Sequence, residues 1–444
     1  MSITLHQQPT TPNGAFADLI WVASSTNQNQ PQFQFVATIQ ASGSSNSVTL
    51  KQQPNPNGYG VFNMGSIAST LLEYDGVWKT PFVQSSSLAG KTLLTTFSEE
   101  YGTSTTSSVS IVNTITGSQV YIIPAVVQPD AGYWNLPSSD YYTASLAPNA
   151  ATETYTFQHA LSNSPVSQSI RDDEYATISL FNGNFDGSST TAQDVYYVQV
   201  NVYNSAGSNI QNISWFNINS GAINGGPRTN DNEEWGDSGV YNAQTDKTRL
   251  VHIAAGPKNF SDGGTTLNAS WNTYSVSVWG QESAGVESNT GRYAQYWFTK
   301  QTPECGYTGT RFAFINELGT WDYYTFPFAD TINDSMTRSE FTQTFVDYST
   351  NFGGVAYNAS RRGAKVFNQD YQQDRVAESG FLTQAEADWL RELVESPEVF
   401  IQVGTQMLPV VITNTSFTFK TNPRTQKLYR LTLTYKMANQ KRSR

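Results

Sequence analysis

The feature that most constrains this chain is a period-two alternation of apolar and polar residues that recurs along its length. Phe33, Phe35, Ala37 and Ile39 alternate with Gln32, Gln34, Thr38 and Gln40. Tyr196, Val198, Val200 and Val202 repeat the pattern, as do Tyr274, Val276 and Val278, and near the end Tyr429, Leu431, Leu433 and Tyr435. Side chains of a strand point alternately to its two faces, so each run predicts a strand with one buried face. Between the runs lie Asn/Gly/Pro/Ser clusters: 53–58, 182–184, 224–227 and 261–264. Asn and Gly accept positive φ and Pro presets a turn, so these clusters punctuate strands. Short strands at such spacing predict a mainly β chain of tandem β-sandwiches, Ig/fibronectin-like and jelly-roll-like.

Three domains are expected. The first, residues 1–145, opens with a strand, a proline-rich corner at 9–14 and a second strand at Leu19–Ala23, with a short helical segment at 63–72. A boundary is read at 128–139. The second, 146–300, is a sandwich or jelly roll opening at Thr154–Phe157, with a Gly/Asn-rich loop insertion at 219–246. The third, 301–444, is a small α+β domain. Arg311–Asn316 and Trp321–Phe326 read as a hairpin around Glu317-Leu318-Gly319-Thr320. One helix, 383–396, is fully specified. Thr383 and Glu386 have capping-box spacing, and Leu382 is placed to staple onto Ala387. Trp389, Leu390, Leu393 and Val394 form an apolar stripe, and Pro397 ends the helix. Strands are then expected at 398–403, 409–413, 416–420 and 427–436.

Composition narrows the function. Only 14% of the 444 residues are charged, against roughly 25% in ordinary soluble domains. Aromatic residues make up 13%, more than a disordered chain carries. No apolar run reaches the ~18 residues of a membrane-spanning helix. The first residues carry neither a basic region nor an apolar core, so no secretory leader is expected. One cysteine, Cys305, excludes a disulfide framework within the chain, and no basic neighbour activates its thiol. A net charge of −11 argues against a general nucleic-acid surface.

Motifs for catalysis are lacking. His6, His159 and His252 are the only histidine bases, and no nucleophile elbow accompanies them. No Walker or dinucleotide glycine motif is present. Asp231, Glu233, Glu234 and Asp237 gather around Trp235, and Asp172, Asp173 and Glu174 form a second acidic run. Three readings stand for the first cluster: a solvated acidic loop, a calcium site without EF-hand spacing, or a glycosidase carboxylate pair. The expectation is no enzyme, no catalytic residue and no cofactor. Aromatic and basic residues at Trp235, Trp321, Tyr323, Tyr324, Arg442 and Arg444 are the interface candidates, since aromatics and Arg are enriched where partners meet.

Several segments resemble known proteins. Ile3-Thr4-Leu5, Pro31-Gln32-Phe33-Gln34-Phe35 and Asn55-Pro56-Asn57-Gly58-Tyr59-Gly60-Val61-Phe62-Asn63 are similar to the N-terminal β-sandwich of structural proteins of tailed bacteriophages of Bacteroidetes-type hosts, crAss-like phages included. The hairpin at 311–326 and the run 389–399 followed by Pro409-Val410-Val411-Ile412 resemble recurring parts of the same proteins. The resemblance covers the ends and the third quarter of the chain and brings no catalytic residue. It implies a virion structural protein, assembled in the host cytoplasm, whose partners are copies of itself in a ring or tube and other tail or neck proteins. A receptor- or glycan-binding tail protein and a head decoration protein are the alternatives.

Overall fold

The computed structural model describes the chain except for residues 1, 10, 75, 80–81, 87, 127–159, 182–194, 217–231, 235–249, 284–285, 303–306, 308, 343–345, 349–354, 358–362, 414–428, 440–441 and 444. The chain is mainly β, with short helices. Contacts divide it into two compact units: Met1–Thr302 with Ile315–Tyr323, and Pro303–Phe314 with Tyr324–Arg444.

In the first unit, β1 (Ile3–Gln7), β3 (Ile20–Ser25) and β6 (Tyr59–Asn63) form one antiparallel sheet. Opposite it lies a six-stranded sheet in the order β2 (Asn13–Gly14), β10 (Val120–Ile123), β8 (Lys91–Tyr101), β4 (Gln34–Ala41) and β5 (Ser47–Gln52), with β9 (Ser110–Thr116) paired to β8. The alternating residues of β4 explain this layering. Phe35, Ala37 and Ile39 point inward and meet Trp21, Phe62, Leu93 and Phe97 in one buried cluster. The short helix α1 (Gly65–Ser69) adds Ala68 to it.

Two further sheets complete this unit. β12 (Thr177–Phe181), β16 (Leu250–Ala254) and β7 (Val83–Ser85) form a small sheet in the order β12–β16–β7. Every residue of β12 and β16 is buried, so this sheet is covered on both faces. The larger sheet runs β11 (Ser167–Ile170), β18 (Val286–Lys300), β17 (Thr273–Ser283), β13 (Val195–Tyr203), β14 (Asn209–Phe216) and β15 (Asn232–Glu234). The helix α2 (Pro257–Asp262) sits against it through Phe260, whose ring lies 5.3 Å from Trp215 and 5.9 Å from Tyr274. The sequence separates 1–145 from 146–300. In the fold, β7 of the former pairs with β16 of the latter, and both lie in one unit. The expected boundary at 128–139 and the opening strand at 154–157 lie outside the described residues.

An eight-stranded sheet, all of it in the second unit except Ile315 and Trp321–Tyr323, runs in the order β20 (Trp321–Phe326), β19 (Thr310–Ile315), β25 (Val399–Val403), β26 (Gln406–Ile412), β27 (Thr432–Met437), β24 (Ala364–Glu378) and β21 (Thr331–Thr342), with β28 (Arg442–Ser443) paired to β24. β22 (Val346–Tyr348) and β23 (Val355–Tyr357) pair with each other. The helix α3 (Gln384–Glu395) lies on this sheet, with Trp389, Leu390 and Leu393 buried among Phe312, Phe314, Ile401, Leu433 and Tyr435. Its capping box is formed. The Glu386 amide donates to Thr383 Oγ1 at 3.3 Å, and the Thr383 amide donates to Glu386 Oε2 at 2.7 Å. Leu382 and Ala387 share the same core, as the staple requires. The expected strand at 416–420 lies outside the described residues.

Candidate functional site

The most unusual surface of the second unit is the ribbon made by β21 and β24. No strand or helix is expected from sequence over residues 327–380, yet β21 is twelve residues long and β24 fifteen, in an antiparallel ladder from Thr331↔Val376 to Thr342↔Ala364. At about 3.4 Å per residue, β21 is about 40 Å long. Eleven of its twelve residues are exposed. β24 is paired on its second side by β27 over Asp374–Glu378 and by β28 at Asp370 and Tyr371. Among the described residues, no strand pairs with the outer edge of β21.

Register assigns the two faces of this arm. Ile332, Asp334, Met336 and Arg338 stand opposite Arg375, Gln373, Tyr371 and Gln369, on one face. Tyr371 Oη donates to Asp334 Oδ1 at 2.6 Å, and Gln373 Nε2 donates to the same oxygen at 3.0 Å. Gln369 Nε2 reaches the Met336 sulfur at 3.0 Å. Arg375 donates to Gln373 Oε1 at 3.2 and 3.3 Å. The opposite face carries Thr331, Asn333, Ser335, Thr337 and Ser339 against Val376, Asp374, Gln372, Asp370 and Asn368, and is almost wholly polar. A register shift after Ser339 leaves Phe367 as an extra residue, 64% exposed, with its ring 6.2 Å from Phe341. The root is held at Asp330, which accepts from Tyr435 Oη. Burial, with the Asp330 carboxylate second, pushes the Tyr435 hydroxyl above its usual range.

Large apolar side chains stay in water along this arm. Ile332 is 51% and Met336 53% exposed, with Phe341 and Val366 nearly as open. A two-stranded ribbon is marginal on its own in water, and a long open edge is a template for another strand. The chemistry the arm offers is therefore association, through backbone groups at its edge and apolar side chains on its faces.

The interface candidates read from sequence fall elsewhere. Trp321, 3% exposed, belongs to the chain's own interior, edge-on to Trp78 at 5.3 Å. Tyr323, 4% exposed, places its hydroxyl 3.0 Å from Thr177 Oγ1. These two correct the expectation of a partner-facing aromatic surface, because the hairpin that carries them is buried. Tyr324 is half-buried, packed against Phe326 and Trp389 at 5.1 and 6.0 Å, and burial together with the Glu386 charge raises its hydroxyl pKa. Asp231, Trp235, Asp237, Arg444 and Cys305 lie outside the described residues, as does most of the insertion at 219–246. Glu233 and Glu234 belong to β15, opposite Trp215 and Phe216 of β14, and Arg442 belongs to β28, opposite Tyr371.

No protein-family model matches the chain. No curated protein matches it either.

The other polar constellations make contacts within the chain. Asp172 accepts from Trp271 Nε1 at 2.6 Å and from Lys300 at 2.8 Å. Glu174 is buried and caps the Arg171 amide at 3.0 Å. His6 pairs with Ser24 at 2.6 Å, and His252 with Ser179 at 2.7 Å. A cavity of about 20 Å³ lined by Ser179, Tyr296, Asp322 and Tyr323 has room for a single water-sized molecule. Among the described residues, no cluster of three His, Cys, Asp or Glu side chains could hold a metal ion, and no helix is long and apolar enough to cross a membrane.

Proposed function

We propose that this protein is a virion structural subunit of a tailed double-stranded DNA bacteriophage, built into an oligomeric tail, neck-ring or tail-tip assembly, and that it is not an enzyme. The observation that carries the reading is the β21–β24 arm, whose open edge and exposed apolar side chains call for a neighbouring chain. The low charge supports it, since a surface rich in Ser, Thr, Asn and Gln can be covered by neighbours without stranding ions. The resemblance of the two ends and the 311–326 hairpin to tailed-phage structural proteins supplies the virion context. Function here is geometric: copies assemble about a symmetry axis.

Copy number in purified virions tests this, read by quantitative mass spectrometry together with electron microscopy. About a dozen copies located in the tail or neck is the expected result. Hundreds of copies on the head would turn the reading to a decoration protein, and a protein missing from the particle would overturn it.

A further inference from the structure

We propose that the outer edge of β21 pairs antiparallel with β21 of a second copy, about a two-fold axis through Met336. The inference deepens the assembly reading and rests on it only in taking another copy of this chain as the partner.

Backbone geometry limits the registers such a pair can adopt. In an antiparallel pair, residues that aim their backbone groups at the partner must meet residues that do the same. A strand pairing with its own copy about a two-fold axis therefore centres on one residue, and side chains meet only within the same face. β21 runs Thr331–Thr342, so a centre at Met336 overlaps nearly the whole strand, from Thr331 opposite Phe341 to Phe341 opposite Thr331. About ten backbone hydrogen bonds would form over that length.

Charge then selects among neighbouring registers. Centred on Met336, Asp334 of each copy stands opposite Arg338 of the other, giving two reciprocal opposite-charge pairs on either side of a Met336–Met336 contact. Centred on Thr337, Asp334 meets Glu340, and two like-charge pairs result. Centred on Ser335, Asp334 meets Met336 and Arg338 meets Ile332, and no ion pair forms. Arg338 is available for the first arrangement. Among the described residues it has no carboxylate partner, and its guanidinium only approaches the Met336 sulfur at 4.0 Å. The other face brings Asn333 to Ser339 and Ser335 to Thr337, uncharged pairs that tolerate contact. The exposed side chain of Met336 then lies beside its counterpart instead of water, and Ile332 stands opposite Glu340. Such an isologous contact is self-complementary and closes after two copies. It removes the open edge, the feature of a sheet that otherwise recruits chains without control.

The test uses the full chain carrying Cys305→Ser, with one new cysteine. Residues opposite each other across an antiparallel pair have Cα atoms about 4.5–5.5 Å apart, within disulfide reach. Met336→Cys is expected to give a covalent dimer under mild oxidation. Ile332→Cys is not, because the two copies of that position would lie about 27 Å apart. In parallel, sedimentation equilibrium of the protein without added cysteines is expected to show a dimer of the 49.0 kDa chain. Arg338→Asp should weaken it about tenfold by setting like charges opposite each other twice. Adding Asp334→Arg should restore it. Equal cross-linking at positions 332 and 336, or a dimer indifferent to Arg338→Asp, would overturn the register. A monomer in solution that is nonetheless present in purified virions would overturn the two-fold pair while the virion reading stands.

Discussion

Ser179 and His252 face each other across β12 and β16, with the serine oxygen 2.7 Å from Nδ1 and the buried Nε2 atom without a partner among the described residues. The pair sits in a sheet covered on both sides, so the imidazole is held neutral. Burial lowers its pKa from 6.5 to about 3.

The sign of the pH effect follows. Above pH 6.5 the ring is neutral in both the folded and the unfolded chain, and stability is complete. Below it, the unfolded chain takes a proton that the folded one refuses, so stability falls until the pH reaches about 3. Between pH 6.5 and 4.5 the loss is about 2–3 kcal/mol. Urea unfolding at a series of pH values should show this slope, and His252→Gln should flatten it.

Gly319 turns the β19–β20 hairpin at φ +79°, and a Cβ there would stand 2.6 Å from the Pro124 carbonyl carbon. Gly319→Ala should therefore cost about 2–3 kcal/mol, from the left-handed backbone and the clash together. The unfolding midpoint in urea reads it directly. An unchanged midpoint would show that the turn relaxes.

Glu99 is a buried carboxylate satisfied by three side chains from two segments. Ser25 Oγ and Asn27 Nδ2 donate at 2.8 and 2.9 Å, and Asn113 Nδ2 at 3.3 Å. Glu99→Gln puts an amide donor where donors already point. It should destabilise the first unit by about 1–3 kcal/mol. Differential scanning calorimetry should show a lowered transition for this variant, while Glu395→Gln, on the exposed end of α3, changes little.

Thr383→Ala removes the acceptor for the Glu386 amide and should cost about 1 kcal/mol, whereas Thr383→Ser should retain most of it. Thermal melts followed by far-ultraviolet circular dichroism distinguish the two.

Much of the architecture was legible because it is written in local chemistry. The alternation at Phe33–Ile39 became the inner face of β4, and Val198, Val200 and Val202 became the buried face of β13. Thr383, Glu386 and the stripe at Trp389–Leu393 specified a helix completely, since every determinant lies within twelve residues. The arm was not legible. Its residues are mostly polar, and without one buried face there is no period-two signal to read, although the strands are the longest pair in the second unit.

What the sequence determined by itself was the mainly β class, the inward faces of the strands and the one capped helix, all properties of neighbours in the chain. Only the tertiary structure decided which sheet each inward face would meet. It buried Trp321 and Tyr323, which composition alone had suggested for a partner surface, and left Ile332 and Met336 in water. The physical reason is that alternation records that one face of a strand is buried, but carries nothing about the distant residues that bury it. A polar strand such as β21 owes its existence to its partner β24, whose paired residues lie 22 to 45 positions away in sequence.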